Sequence, residues 1–141
     1  MKKKILIFGG TGSLGSNLLY VLQKKYNLFL NFHKKKIFSK KIKYVKIIND
    51  ADLNLSDIQR KIEEINPDII INCAANTDLD YCEINPKKTK LPNYSLPDIL
   101  SKISFKKSIK FIHFSTDHLY SNNKSFKNEN EKTSIINQSL Q

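Results

Sequence analysis

Glycine is scarce in this chain: there are four glycines in 141 residues, and all of them lie between positions 9 and 15. Cysteine is scarce too, because Cys73 and Cys82 alone do not make a disulfide framework, and this favours a reducing, cytoplasmic setting. No apolar run approaches the roughly 18–20 residues of a membrane span. The four apolar residues before the first glycine also fall short of the roughly 7–15 of a secretory signal. The sequence therefore predicts one cytoplasmic domain without a membrane partner.

Acidic residues are also few, with 13 Asp and Glu against 24 Lys and Arg, which gives a formal net charge of +11. The excess is uneven, because residues 1–50 hold 12 basic and 1 acidic side chains while residues 51–100 hold 5 and 9. A basic first third can attract nucleic acid. It lacks the interleaved aromatic residues and the motifs of specific readers, so we expect no specific nucleic-acid partner.

Five short apolar runs predict five strands. Continuous runs of this kind are typical of parallel sheets that are covered on both faces. The predicted strands span residues 3–9, 28–32, 42–48, 69–71 and 111–114. Because helical patterns separate them, we predict an α/β fold with a doubly wound parallel sheet and right-handed crossovers.

The helical patterns are of unequal clarity. The first helix has an apolar stripe and is expected to carry Lys24 and Lys25 in its last turn. The stripe consists of Leu14, Leu18, Leu19, Val21 and Leu22.

A second helix is expected from a cap at Asn54 or Ser56 to Ile65, and Pro67 closes that connection. Three prolines interrupt the stretch between the last two predicted strands. They predict breaks, with a firmer helix only from about 97 to 105. These prolines are Pro86, Pro92 and Pro97.

The four glycines form one loop, Gly9-Gly10-Thr11-Gly12-Ser13-Leu14-Gly15, between the first strand and the first helix. Gly9 permits a tight turn, Gly12 lets backbone N–H groups approach a pyrophosphate, and Gly15 lets the helix pack closely. The helix N-terminus offers N–H donors and partial positive charge to phosphates. The loop therefore predicts a dinucleotide site, and the alternative is a strand-to-helix turn that merely needs glycine.

Three further segments turn this pattern into a family resemblance. The loop resembles that of the extended short-chain dehydrogenases/reductases. Residues 67–77 resemble the Pro-Asp-x-Ile-Ile-Asn-x-Ala-Ala-x-Thr segment of the dTDP-4-dehydrorhamnose reductases, and Asp80 and Glu83 match the Asp-x-x-Glu that follows it there. Residues 115–120 resemble their Ser-Thr-Asp-Tyr-Val-Phe segment.

The resemblance implies a Rossmann-type NAD(P)-binding domain over residues 1–120, with a loop tail at 121–141. It also implies an NADP-dependent reductase of a nucleotide-linked keto-sugar such as dTDP-4-dehydrorhamnose, in dTDP-rhamnose and polysaccharide biosynthesis. This chain corresponds to about the first half of such an enzyme, its cofactor-binding part.

Roles for single residues follow from the same resemblance. Thr116 is implied as the catalytic residue whose hydroxyl bonds the substrate carbonyl, with Ser115 beside it at the nicotinamide; the alternative for Thr116 is a strand-end cap. Asp52 and Leu53 would lie against the adenine. The implied pyrophosphate cradle and ribose-lining residues are Gly9, Thr11, Gly12, Ser13, Leu14, Gly15, Ala74, Ala75 and Thr77. For the two alanines, plain close packing is the alternative.

The cofactor is expected to be NADPH. No acidic residue occurs between Gly15 and Asp50, whereas an NAD site places one about 20 residues after the loop to hold the ribose 2′-hydroxyl. His33, Lys34 and Lys35 stand there and would suit a 2′-phosphate. A lysine-rich chain places some lysine here in any case, so NADH remains the alternative, and His33 can equally be a solvated strand-end residue.

The family's catalytic pair, a Tyr and a Lys four residues later, has no match here. Such a tyrosine acts as the general acid. If Asn137 matches the family's asparagine, Ser139 stands where the tyrosine is expected, and the strings Tyr20…Lys24 and Tyr120…Lys124 are interpreted as coincidences.

We therefore expect the 141-residue chain alone to be inactive, without the catalytic helix and the substrate domain. The alternatives are a non-catalytic NADP-binding regulatory subunit, a truncated product, or a relative of the nucleotide-sugar epimerases and dehydratases. A homo-oligomer or a second subunit remains open.

The thiols and imidazoles predict no metal site. Cys73 is expected to be an inert buried thiol in a strand, and Cys82 to lie on a short helix. His33, His113 and His118 have no metal-ligand spacing with them, and His113 is expected in or near the core.

Overall fold

A computed structural model describes residues 1–31, 42–45 and 55–116. These residues contain a five-stranded sheet in the order β3-β2-β1-β4-β5, with every neighbouring pair parallel. The strands are β1 (Lys4–Phe8), β2 (Asn27–Asn31), β3 (Ile42–Val45), β4 (Ile69–Asn72) and β5 (Lys110–His113). The predicted doubly wound parallel sheet is confirmed, although residue 32 of the second predicted strand and residues 46–48 of the third lie outside the described residues.

The strand order has one reversal. From β1 the chain builds β2 and β3 on one side, and then crosses to place β4 and β5 on the other side of β1. In open α/β sheets the crevice at such a switch point, outside the carboxyl ends of the strands, binds ligands. The end of β1 and its neighbours is therefore where a ligand is expected.

Alternating side chains of the strands build a core on each face of the sheet. On one face, Leu6, Phe8 and Ile70 pack with apolar residues of two helices, α2 (Leu55–Ile65) and α5 (Leu96–Lys107). On the other face, Ile5 and Ile7 pack with Leu19 of helix α1 (Ser13–Leu22) and with Leu28, Leu30 and Ile71. Both faces of β1 are covered, which explains its uninterrupted apolar run.

The apolar stripe of α1 is narrower than predicted. Leu19 is buried and Leu18 and Leu22 pack beside it, but Leu14 is 43% exposed and Val21 65% exposed. One sheet face can bury only one side of this helix.

The prediction that Lys24 and Lys25 occupy the last turn of α1 is wrong. The helix ends at Leu22, whose carbonyl accepts the N–H groups of Lys25 and Tyr26 in the turn that leads to β2. The predicted cap at Ser56 is also wrong, because α2 begins one residue earlier, at Leu55. The alternative cap, Asn54, lies outside the described residues.

One of the breaks expected between β4 and β5 is present. The non-helical Asn85 separates α3 (Leu79–Ile84) from α4 (Pro86–Lys90), directly before the first proline. From α4 the helical turns continue without a gap through a π-helix (Leu91–Ser95) into α5, so the breaks expected at Pro92 and Pro97 are absent. Pro86 lies at the first position of α4, where a missing N–H costs little, whereas Pro92 and Pro97 lie inside the continuous helical run. The π-helix widens the turn before Pro97, with the Leu96 N–H donating to the Leu91 carbonyl, and this accommodates the ring.

Among residues 1–31, 42–45 and 55–116, no helix is both long and apolar enough to cross a membrane. The described chain ends three residues after β5, so the predicted loop tail at 121–141 and the boundary at 120 lie outside it.

Candidate functional site

A cleft of about 410 Å³ opens at the carboxyl ends of β1, β2 and β4, at the switch point of the sheet. One wall is the glycine loop and the opposite wall is the segment after β4, with the π-helix and its neighbours beside it. The lining residues are Gly9, Thr11, Gly12, Asn31, Cys73, Ala74, Ala75, Lys88, Leu91, Pro92 and Leu96.

Two glycines shape the loop from within. Gly9 has a φ of 71°, and a Cβ there would lie 2.5 Å from the Ala74 nitrogen. A Cβ at Gly15 would lie 2.4 Å from the Gly9 carbonyl oxygen and 2.5 Å from the Gly10 Cα. Glycine at position 9 therefore lets the loop pack against the wall after β4, and glycine at position 15 lets α1 pack against the loop.

Gly12 differs from them. A Cβ built on it would meet one atom of the described residues, the Gly9 carbonyl oxygen, at 3.3 Å. Gly12 also lines the cleft and caps α1, where its N–H donates to that same Gly9 oxygen at 3.0 Å. A Cβ at Gly12 would therefore need the Gly9 carbonyl to shift by a few tenths of an ångström, a much smaller conflict than at Gly9 or Gly15. A ligand that approaches the backbone from the cleft would add a second reason for glycine at this position.

The N-terminus of α1 adds favourable electrostatics for an anion. The first N–H groups of any α-helix have no partner inside the helix, and its dipole is positive there. The first described turn of α1 contains no acidic residue. Of the described residues that line the cleft, Lys88 carries the only formal charge. The cleft thus suits a phosphate-bearing ligand.

Hydrogen bonds hold the wall that follows β4. The fully buried Asn72 accepts the Ala74 N–H on its Oδ1 at 3.1 Å. Farther along, the Asn76 N–H donates to Oδ1 of Asn93 at 2.7 Å, and Nδ2 of Asn93 donates back to the Asn76 carbonyl at 3.0 Å. Asn93 belongs to the π-helix, so the non-helical wall is fixed to a helical element.

The prediction for Cys73 is wrong in its place. Cys73 follows β4 rather than lying in it, is half-buried and lines the cleft. Burial raises the pKa of its thiol, which keeps the thiol neutral near pH 7. The prediction for Cys82 is correct, since Cys82 is buried on α3 and its Sγ lies 3.6 Å from the Asn76 carbonyl oxygen.

His113 is not a core residue. It ends β5 with an exposed side chain, and its ring stacks on Phe111 with centroids 6.2 Å apart. Within the described part of the chain no group of three His, Cys, Asp or Glu side chains could hold a metal ion.

The structure brings five of the expected cofactor residues to the cleft: Gly9, Thr11, Gly12, Ala74 and Ala75. The others that it describes do not line it. Ser13 and Leu14 are exposed at the start of α1, and Gly15 is buried beneath the loop.

Thr77 is exposed farther along the wall. Ser115 is exposed and Thr116 half-buried just beyond β5. The remaining expected residues lie outside the described residues: His33, Lys34, Lys35, Asp52 and Leu53.

Residues that the sequence did not indicate also line the cleft. Asn31 ends β2, and its place could have been inferred because carboxyl ends of parallel strands meet at one edge. Lys88, Leu91, Pro92 and Leu96 come from the proline-containing helical turns. Nothing in the sequence pattern placed them there, because the prolines predicted breaks.

The profile of the protein family described as RmlD substrate binding domain matches residues 2–137. The dTDP-4-dehydrorhamnose reductase of Escherichia coli is 30% identical over 117 residues, which are 82% of this chain and 35% of that enzyme. The chain thus spans about a third of the length of this relative.

Two solved structures are similar over 99% of this chain at 26% identity. One is a hypothetical dTDP-4-dehydrorhamnose reductase from Sulfolobus tokodaii, with a TM-score of 0.82 and 48% of that chain covered. The other is a dTDP-4-dehydrorhamnose reductase from Bacillus anthracis in complex with NADP, with a TM-score of 0.78 and 45% of that chain covered.

Proposed function

This chain belongs to the family of the RmlD substrate binding domain, and on that premise we propose that it binds NADP as the cofactor-binding part of a nucleotide-sugar reductase. The membership confirms the resemblance drawn from the sequence. The solved relative with NADP supports the choice of cofactor.

One observation carries the proposal most directly, the glycine at position 12. It lines the cleft, and packing inside the protein restricts this position less than Gly9 or Gly15. A pyrophosphate on the first N–H groups of α1 is the ligand that such a loop accepts. The residues present fit that group, because this mouth of the cleft is free of acidic side chains among the described lining residues.

The chain's own residues then have distinct tasks. The glycine loop, from Gly9 to Gly15, holds the pyrophosphate through backbone N–H groups, with Thr11, Ser13 and Leu14 around it. Ala74, Ala75 and Thr77 lie along the riboses, where small side chains permit close approach.

Ser115 and Thr116 lie at the nicotinamide end, and the Thr116 hydroxyl donates to the carbonyl of the sugar. NADPH, when bound, supplies the hydride. His33, Lys34 and Lys35 are proposed for the 2′-phosphate, and Asp52 and Leu53 for the adenine.

The substrate class follows from the named relatives. A nucleotide-linked 4-keto-sugar such as dTDP-4-dehydrorhamnose is proposed, in dTDP-rhamnose synthesis. Two free thiols, Cys73 and Cys82, suit a reducing cytoplasm as the setting. Of the alternatives, the sequence Ser115-Thr116-Asp117 favours a reductase over an epimerase. A non-catalytic NADP-binding subunit, or a partner chain in an oligomer, would use the same cleft and differ only in turnover.

Calorimetric titration of the purified chain with NADPH and with NADH tests the proposal. We expect NADPH to bind more tightly, because Lys34 and Lys35 pair with its 2′-phosphate. The variant with Lys34→Gln and Lys35→Gln should lose this preference and keep its affinity for NADH. Failure to bind either cofactor would contradict the proposal, and equal affinity would remove the role of the two lysines. NADPH oxidation with dTDP-4-dehydrorhamnose then separates a reductase from a non-catalytic subunit.

A further inference from the structure

We propose that His113 is a positioning residue of the cofactor cleft, although it does not line the cleft. It acts through the buried side chain of Asn72, which fixes the turn at Ala74. That the ligand at this turn is NADP rests on the proposed function, whereas the hydrogen bonds between His113, Asn72 and Ala74 are independent of it.

The orientation of the Asn72 amide follows from its partners. Ala74 presents a backbone N–H, which can only donate, at 3.1 Å, so the atom it meets must be the amide oxygen. The amide nitrogen is then the atom that lies 3.2 Å from Nδ1 of His113. Asn72 is fully buried in the intact chain, so its side-chain amide depends on these protein partners.

This orientation determines the tautomer of His113. The amide nitrogen of Asn72 can only donate, and therefore Nδ1 of His113 must accept. The proton of the neutral imidazole must then be on Nε2. Stacking on Phe111, with an angle of 1° between the rings, holds the imidazole in this plane.

Asn72 contacts two parts of the candidate site, the wall at Ala74 and the segment after β5. Its side chain orders Ala74, whose backbone packs so closely against Gly9 that a Cβ there would lie 2.5 Å from the Ala74 nitrogen. Its backbone carbonyl accepts the N–H of Phe114 at 3.2 Å, next to Ser115 and Thr116. The side chain of His113 therefore stabilises one arrangement of the glycine loop and the wall after β4, while the backbone pairing of β4 with β5 holds the segment that bears the candidate catalytic threonine.

Loss of the His113 acceptor should lower the fraction of molecules in which the turn at Ala74 is formed. Without an acceptor at the Nδ1 position, the buried amide of Asn72 has an unpaired N–H and will rotate or shift to satisfy it. The turn at Ala74 is then formed in only part of the molecules, and the apparent affinity for NADP falls in proportion.

The tautomer is tested first, in the unmodified chain and without cofactor. Nitrogen-15 NMR of the imidazole at pH 8 should show His113 protonated at Nε2 and unprotonated at Nδ1. The amide proton of Ala74 should exchange slowly with solvent although Ala74 lines the cleft, because it is hydrogen-bonded to Asn72. A proton on Nδ1 would overturn the proposal even if the chain binds NADP well.

Three variants then test the consequence for binding. His113→Asn places an amide oxygen where Nδ1 accepts, His113→Gln places its oxygen near the Nε2 position instead, and Lys110→Gln is a control on the exposed part of the same strand. We expect about a tenfold weaker binding of NADP in His113→Gln, with affinity restored in His113→Asn and unchanged in the control.

Equal losses in both His113 variants, or no loss in either, would overturn the positioning role. Thermal unfolding of all three variants identifies any loss of folding. If the unmodified chain does not bind NADP, the proposed function fails, and slow exchange at Ala74 in His113→Asn but fast exchange in His113→Gln still decides the role of His113.

Discussion

At the scale of single residues, glycines of one loop serve different purposes that a substitution can separate. We predict that Gly12→Val leaves the chain folded but weakens NADP binding at least about 100-fold, which is about 2.8 kcal/mol. The added side chain meets one described protein atom at 3.3 Å and otherwise projects into the space that the pyrophosphate needs. Calorimetric titration measures the affinity, and thermal unfolding measures the fold.

Gly15→Ala is the matched control, with the opposite expectation. Its Cβ would lie 2.4 Å from the Gly9 carbonyl oxygen, so this variant should unfold at a lower temperature. If Gly12→Val lowered the unfolding temperature as much as Gly15→Ala, the role of Gly12 would be structural.

Cys73 provides a natural reporter of the cleft. Burial raises the pKa of its thiol above the ordinary value of 9.0, and only the thiolate reacts with iodoacetamide. Each pH unit below the pKa lowers the thiolate fraction about tenfold, so alkylation should be slow at pH 7 and accelerate up to and beyond pH 9. We predict that saturating NADP slows the reaction several-fold, because Cys73 lines the proposed site.

Mass spectrometry of the alkylated chain measures this rate at each thiol. Cys82 is buried on α3 and should stay unmodified in the folded chain. Cys73 labelling that is equally fast with and without NADP would argue against a ligand at this end of β4.

At the scale of elements, α5 carries a buried hydroxyl for which the described residues supply no hydrogen-bond partner. The Ser104 hydroxyl is buried in the described structure and has no hydrogen-bond partner there. We predict that Ser104→Ala raises the free energy of unfolding by about 1 kcal/mol or more, since it removes an unsatisfied polar group and improves helix propensity. Urea denaturation measures the change.

Ser101→Ala on the same helix is the control. The Ser101 hydroxyl is exposed and donates to the Asp98 carbonyl, so its removal should change stability little. A loss of stability in Ser104→Ala would mean that the hydroxyl has a partner, contrary to the expectation.

The elements also show what sequence patterns can and cannot predict. The strand β1 and the glycine loop could be predicted, because burial on both faces and close approach of the backbone each require particular residue types. The π-helix could not be predicted, because the expected effect of proline applies to α-helices, and the wider turn before Pro97 has a different hydrogen-bond pattern. The exposure of His113 was not predicted either. Residues 111–114 form an apolar run around this histidine, and such a run does not show that its strand lies at the edge of the described sheet.

At the scale of the whole molecule, the two edges of the sheet differ in character. The candidate site lies at the carboxyl ends of the strands, and Lys88 carries the one formal charge among the described lining residues. Lys2 precedes β1, and Lys24 and Lys25 precede β2, so these residues lie at the amino edge. There Lys2 Nζ donates to the Lys24 carbonyl at 2.8 Å. These three lysines of the basic first third therefore lie away from the cleft.

We predict that any binding of DNA is weak, and that the contribution of Lys2, Lys24 and Lys25 to it is independent of NADP. The net charge of +11 should give a Kd of roughly 10⁻⁴–10⁻⁶ M at physiological salt, with the steep salt dependence of non-specific phosphate contacts. Because Lys2, Lys24 and Lys25 lie at the opposite ends of the strands from the cleft, saturating NADP should leave their contacts with DNA unchanged. The variant with Lys24→Gln and Lys25→Gln should bind DNA less tightly and lower the salt slope by up to about 2, at about 0.9 per contact, while it keeps its affinity for NADP. Fluorescence anisotropy with duplexes of two unrelated sequences measures all of these quantities. A tight, sequence-selective complex, or displacement of DNA by NADP, would mean that the basic residues and the cleft form one surface.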